Sequence, residues 1–194
     1  MKQALIIFVR NPVLGKVKTR IAKTLGEENA LKLYKKLLAH TQLTIEDIAC
    51  DKYIFYADWV NKNDDWSNDL YYKEQQVAEE LGERMSAAFE KIFGKGYNKV
   101  LIIGSDCYEL TTGIIEEAFA ALEKNAVVVG PAKDGGYYLL GMKKFNSTLF
   151  ESKAWSTNSV LQDTLKQCTQ LTLSYYLLPL LSDVDEATDI NFEY

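Results

Sequence analysis

Residues 4–20 read ALIIFVRNPVLGKVKTR, and the architecture follows from that run. Its first part, Ala4 to Val9, is continuously apolar, the pattern of a strand buried on both faces rather than one facing water. The remainder is a polar loop with Pro12 and Gly15. It places Arg10, Lys16, Lys18 and Arg20 just beyond the strand's carboxyl end. Open α/β sheets bind their ligands outside the carboxyl ends of the strands, so a cationic loop there is in the place where an anion would be met.

Working outward, Thr24 and Glu27 have the spacing of a capping box, and Ala30, Leu31, Leu33, Tyr34, Leu37, Leu38 and Thr41 recur at helical intervals. Residues 52–57 (KYIFYA) form a second strand. A polar, exposed loop over 58–69 precedes a short third strand near 70–73. A helix is expected over about 77–93, then a buried strand at 100–103 (VLII), a helix near 113–122 and a buried strand at 127–129. Residues 137–142 (YYLLGM) follow a Gly-Gly pair as a further strand, with a helix near 160–168 and a late strand over 171–177. Buried strands alternating with helices define an α/β fold: a Rossmann-like three-layer α/β/α sandwich around a mainly parallel, mixed sheet. There is no repeat and no linker-like segment, so residues 1–194 are expected to be one domain.

The composition narrows the function. Hydrophobic residues are 47% and charged residues 25%, an ordinary globular balance. A formal net charge of −5 argues against a general nucleic-acid binder, which needs a basic stripe, but leaves room for a single nucleotide on a local basic loop. Cys50, Cys107 and Cys168 form neither a paired framework nor a zinc spacing. The apolar start is too short for a signal h-region, and no run approaches a membrane span. The chain reads as soluble and cytoplasmic.

Three further segments carry chemistry. Gly104-Ser105-Asp106-Cys107-Tyr108-Glu109-Leu110 follows the VLII strand. An acid at the end of a buried strand suits a hard divalent cation shared with phosphate oxygens; its plainer use is to cap the next turn. Cys107 is expected as a small buried hydrophobe, because the single His40 gives little support for a Cys-His pair, and Glu109 as a solvated acid. Residues 130–138 (GPAKDGGYY) contain a tight Asp134-Gly135-Gly136 turn. Asp134 either serves that turn alone or borders a ligand, with Tyr137 and Tyr138 pointing to opposite faces. In Asp183-Val-Asp185-Glu186, alternate carboxylates face one way and could approach one cation. The first loop is neither a Walker A sequence nor a GxGxxG fingerprint, but its cations beside Gly15 suit a diphosphate. Arg84, after the helical Gly82, could meet a phosphate or a surface partner. The glycine itself hints at close packing or a ligand nearby.

Six stretches in register, FVRNPVLGKVKTRIA, LGERMSAAF, GSDCYEL, GPAKDGGYYLLG, WST and LPLLSDVDEATDI, cover nearly the whole chain. On them the chain resembles the small nucleotide-diphospho-sugar transferase-like proteins of the GT-A type, among them the radical-SAM-associated and arsenosugar-type glycosyltransferase-like proteins. The resemblance implies a metal-dependent glycosyltransferase with a nucleotide-diphospho-sugar donor and a small-molecule acceptor. It implies Arg10, Lys18 and Arg20 near the phosphates, and Mg²⁺ or Mn²⁺ on Asp106 with Asp185 as a second ligand. Asp134, Gly135, Gly136 and Tyr137 would border the sugar or acceptor, Trp155 would stack on a sugar face, and Asp134 would be the general base. Lys18-Thr19-Arg20 and the Asp183-Val-Asp185 stretch also look like small guanylyl- and cytidylyltransferases, which implies pyrophosphate release from a nucleoside triphosphate as the alternative. A non-catalytic nucleotide-sugar binder is the third. The chain departs from the family pattern at Tyr108, where the family has proline, and at Glu186, where it has threonine.

Overall fold

The computed structural model describes residues 2–194. Seven strands form one sheet: β1 Gln3–Val9, β2 Asp51–Tyr56, β3 Tyr71–Gln75, β4 Lys99–Ile103, β5 Val127–Pro131, β6 Tyr137–Met142 and β7 Tyr175–Leu177. Their spatial order is β3-β2-β1-β4-β6-β5-β7. All neighbours pair in parallel except at β6, which runs antiparallel to both β4 and β5. The chain winds outward from β1 through β2 to β3, then returns to β4 on the other side of β1. The crevice between β1 and β4 is therefore a topological switch point, where such sheets take ligands.

Alternation along β1 sorts the two cores. Leu5, Ile7 and Val9 pack with residues of α2 (Glu27–Ile45) and α4 (Thr112–Lys124), including Ile45, Ile115, Phe119 and Leu122. Ala4 and Ile6 face the other way, onto Met85, Phe89 and Ile92 of α3 (Leu81–Gly94) and Cys168 of α5 (Val160–Gln170). The three-layer sandwich is thus the expected fold. The buried runs at β1 and β4 are double-faced because helices cover both sides.

Local expectations changed where the backbone takes a special conformation. Thr24 does not cap the long helix: it lies within a separate short helix α1 (Thr19–Leu25), and Gly26 at φ +84 is the N-cap of α2 without a side-chain cap. The left-handed glycine turns one helical pattern into two elements. Similarly α3 begins at Leu81 rather than near 77, because Ala78 sits at φ +84 and no helix runs through such a residue. Of the late apolar stretch only Tyr175–Leu177 pairs as strand; Leu171 and Thr172 turn the chain out of α5, with Thr172 at φ +55. No helix among the described residues is long and apolar enough to cross a membrane.

Candidate functional site

An open cleft of about 760 Å³ lies across the carboxyl ends of β1 and β4. Among the segments that meet there are the loop after β1, the loop after β4, the β5–β6 turn, the start of α3, residues 155–158 and the tail at Asp183–Asp185.

The first loop is fastened from within. Tyr34 of α2, buried in the core, receives the Arg10 amide on its hydroxyl at 2.8 Å and lies 3.3 Å from Ser105 Oγ at the end of β4. Burial pushes the Tyr34 phenol above its ordinary range. Asn11, also buried, accepts the amides of Asp58 and Trp59 and donates to the Trp59 carbonyl at 3.0 Å. Gly15 at φ +73 makes the turn, with a Glu27 carboxylate about where a Cβ would point. It belongs to the loop's scaffold rather than to the cleft lining, whereas Arg10, Lys18 and Arg20 border the cleft.

Lys18 is the centre of the site. It heads α1 in the left-handed conformation, φ 45 and ψ 47. Its Nζ lies 3.0 Å from Asp106 Oδ2 and 3.2 Å from Asp185 Oδ1. Burial works against the ammonium, but the two carboxylates outweigh it and hold its pKa above the usual lysine value. Residues 88 and 167 positions apart are thereby joined. Gly104 makes room for one of them, since a Cβ there would lie 2.8 Å from Asp106 Oδ1.

The tail is clipped onto the β4 loop. The Val184 amide donates to the Asp106 carbonyl at 2.9 Å, and the Ser182 amide to Glu109 Oε2 at 2.8 Å. Glu109, expected as a solvated acid, is instead half-buried and anchors the tail. Asp189 Oδ2 accepts the amides of Asp185 and Glu186, which fixes the turn that presents Asp185. Tyr108 stacks on Phe192 at 3.6 Å and packs at a tilt against His40 at 4.2 Å between ring centroids, so it pins the tail to α2. Glu186 is exposed, and its backbone amide, held by Asp189 in a capping box, belongs to the turn that presents Asp185.

Asp183 borders the cleft beside Asp106 and Asp185, with its Oδ1 buried and without a hydrogen-bond partner among the described residues. Burial, then the charges of Asp106, Asp134 and Asp185, push its pKa well above the carboxylate range. Cys107 is buried, as expected, with Sγ 3.7 Å from the Ser182 carbonyl, and burial raises its thiol pKa, which disfavours the thiolate.

On the far wall, Asp134 Oδ1 accepts the Gly136 amide at 2.8 Å, the turn role expected of it, while its side chain also borders the cleft. Gly135, at φ +90, carries no cleft surface: a Cβ would strike the Asn158 backbone at 2.3 Å, and its carbonyl accepts the Leu161 amide. Tyr137 lines the cleft with its hydroxyl 3.9 Å from Met85 Sδ; Tyr138 turns to the opposite core and donates to the Pro179 carbonyl at 2.9 Å. Trp155 borders the cleft and lies flush on the start of α3, where a Cβ on Gly82 would be 2.2 Å from its indole. That close packing is what the helical Gly82 is for. Arg84 borders the cleft. It donates to the carbonyls of Ala78 and Glu79 and holds the strained turn before α3.

No group of three or more His, Cys, Asp or Glu side chains among the described residues is arranged to hold a metal. The pair Asp106–Asp185 nevertheless fits a Mg²⁺-class ion. Such ions are held by one or two carboxylates plus substrate phosphates, and these oxygens already converge on one positive charge. Asn11, and Tyr34 in any role beyond the core of its helix, are parts of the site that the sequence did not single out; both are recognisable only once the strand ends are brought together.

The fold is that seen in solved nucleotide-diphospho-sugar transferase-like and cytidylyltransferase structures. Over 96% of its length the chain superposes on 84% of a candidate nucleotide-diphospho-sugar transferase from Desulfovibrio desulfuricans G20, with 30% identity and a TM-score of 0.87. The inositol-1-phosphate CTP transferase of T. maritima shares the fold at 13% identity and TM-score 0.58, over 98% of this chain and 92% of that one. The 4-diphosphocytidyl-2C-methyl-D-erythritol synthase of Anaerococcus prevotii DSM 20548 shares it at 11% identity and TM-score 0.63, over 97% and 92%. Residues 40–157 match the family model DUF2064, described as an uncharacterized protein conserved in bacteria, and the chain belongs to that family. No protein among the curated sequences matches it.

Proposed function

We propose that this chain, acting as one domain over residues 1–194, is a glycosyltransferase that takes a nucleotide-diphospho-sugar donor and a small-molecule acceptor. The observation that carries the reading is the Asp106–Lys18–Asp185 cluster at the β1/β4 switch point, flanked by Arg10 and Arg20. Cations and an acid pair at one strand end suit a diphosphate leaving group better than a neutral ligand. The likeness to the Desulfovibrio protein supports the donor class.

In this reading Arg10, Lys18 and Arg20 hold the diphosphate by charge-assisted hydrogen bonds and stabilise the charge that grows as the bond to the sugar breaks. Asp106 and Asp185 would hold Mg²⁺ or Mn²⁺, which supplies Lewis-acid neutralisation of the same oxygens. Trp155, backed by Gly82, offers a flat face to the sugar, and Tyr137 borders it. An acceptor hydroxyl attacks the anomeric carbon, the bond from that carbon to the diphosphate oxygen breaks, and Asp134 takes the hydroxyl proton. Asp134 is suited to this because its second oxygen is not used by the turn. Arg84 acts through the turn it holds.

Calorimetric titration with nucleoside diphosphates, triphosphates and nucleotide sugars, with and without Mn²⁺, tests the reading. Binding of one nucleotide sugar or its diphosphate should depend on Mn²⁺, and Asp106→Asn should lower turnover by about a hundredfold or more. An unchanged rate in Asp106→Asn would overturn the assignment. The shared fold of the cytidylyltransferases favours a second reading, nucleotidyl transfer. Release of pyrophosphate instead of a nucleoside diphosphate would establish it.

A further inference from the structure

Lys18 has a role beyond gripping a phosphate. Its side chain is 7% exposed, whereas Asp106 and Asp185 are 37% and 44% exposed. The cation is thus rooted in the protein and the carboxylates open to the cleft, an arrangement unlike a surface ion pair, in which both partners are solvated. The backbone supports it: Lys18 adopts a left-handed conformation that costs a non-glycine residue free energy, and does so at the residue that heads α1. Both converging carboxylate oxygens are engaged by the one ammonium, at 3.0 and 3.2 Å.

From this geometry we infer that Lys18 is a tethered counter-ion that keeps divalent metal off Asp106 and Asp185 until its ammonium is drawn away. A Mg²⁺ or Mn²⁺ ion bound to those oxygens at about 2.1 Å would bring two positive charges close to a third in a partly dry site, where like charges repel strongly. Metal and ammonium therefore exclude one another. The inference rests on the assignment of these two carboxylates as the metal ligands. It adds an order of events: a diphosphate offers the displaced ammonium new oxygens, so metal and diphosphate bind cooperatively, each raising the affinity of the other by the same factor. In their absence the acid pair is held together by a cation the protein carries itself.

The test uses Mn²⁺ alone, followed by electron paramagnetic resonance of the free ion, with no nucleotide present. Lys18→Met should bind Mn²⁺ at least about tenfold more tightly than the wild type, because a competing charge is removed. Adding Asp106→Asn to that variant should abolish the gain. Equal Mn²⁺ affinity in wild type and a folded Lys18→Met, or a gain that survives Asp106→Asn, overturns the inference. A measurement on the unaltered protein guards against misfolding of the variant. Acetylation of Lys18 by an amine-reactive ester, read by mass spectrometry, should be slow without metal and severalfold faster in saturating Mg²⁺; a rate unmoved by Mg²⁺ overturns the inference as well. Failure to bind any nucleotide would overturn the glycosyl-transfer reading and leave the Mn²⁺ result standing.

Discussion

Two single residues show how local preference yields to the needs of the cleft. Lys18 accepts a left-handed backbone, a cost of about 1 kcal/mol, and recovers it through charge-assisted bonds to Asp106 and Asp185. Gly82 is the converse case, a poor helix former retained because Trp155 needs the space of its missing Cβ. By helix propensity alone Gly82→Ala would add about 1 kcal/mol of stability. The added methyl would lie 2.2 Å from the indole, closer than real carbon contacts, so Trp155 must leave its seat. Gly82→Ala is therefore expected to lower stability by about 1 kcal/mol or more in urea unfolding, because overpacking outweighs propensity. It should also weaken nucleotide-sugar binding in calorimetry. A variant more stable than the wild type would mean that Trp155 is not held by this contact.

At the scale of elements, the strap formed by residues 182–194 gives the site its second carboxylate. Nothing in the short strap is a regular strand or α-helix, so its position depends on Val184, Ile190 and Phe192 packed with Ile21 and Leu33, on Tyr108 against Phe192, on Glu109 holding the Ser182 amide and on Lys18 holding Asp185. Tyr108→Ala removes both aromatic contacts, each worth about 0.5–1.5 kcal/mol. Global stability should fall by about 1–3 kcal/mol for the two contacts together, and the Val184 amide, bonded to the Asp106 carbonyl, should exchange with deuterium faster than in the wild type. Equal protection in the two proteins would show that the strap needs no aromatic clip. This is also where legibility from sequence divides. Ala4–Val9, the VLII run and YYLLGM announce their strands because doubly buried strands are apolar throughout. The positions of Asp106, Asp134 and the first loop follow because each lies at a strand end. The closure of Lys18 on Asp106 and Asp185 was not legible, since it spans 88 and 167 residues and is created by the winding of the sheet. Trp155 on Gly82 and Tyr34 under Arg10 escaped for the same reason. The capping box at Thr24 and the early start of α3 failed because Gly26 and Ala78 take positive φ, which periodicity does not register.

For the whole molecule, the layers leave titratable groups inside the fold, and these set how stability depends on pH. Lys153 follows the 3₁₀ turn Ser147–Phe150 and donates to Thr164 Oγ1 at 2.6 Å; burial depresses its pKa to about 8. The unfolded chain holds that proton up to about 10.4, so between the two values it binds more protons than the folded protein, and the Lys153 contribution to stability rises with pH across that window. The buried thiols act in the opposite sense. Burial pushes Cys50 up to about 11 and raises Cys168 and Cys107, so above the ordinary thiol pKa the unfolded chain loses protons that the folded one keeps, and stability falls. Several opposing acids outweigh one lysine, and wild-type stability in urea should decline from about pH 9 upward. Lys153→Met isolates the opposing contribution. At pH 7 the variant escapes the cost of a half-buried charge. The wild type should then gain on it between about pH 8 and pH 10.4, by on the order of 1 kcal/mol once solvent screening is allowed for. A difference between the two proteins that stays flat across that range would show that Lys153 keeps an ordinary lysine pKa, its ammonium solvated beside Trp155 rather than enclosed between the 3₁₀ turn and α5.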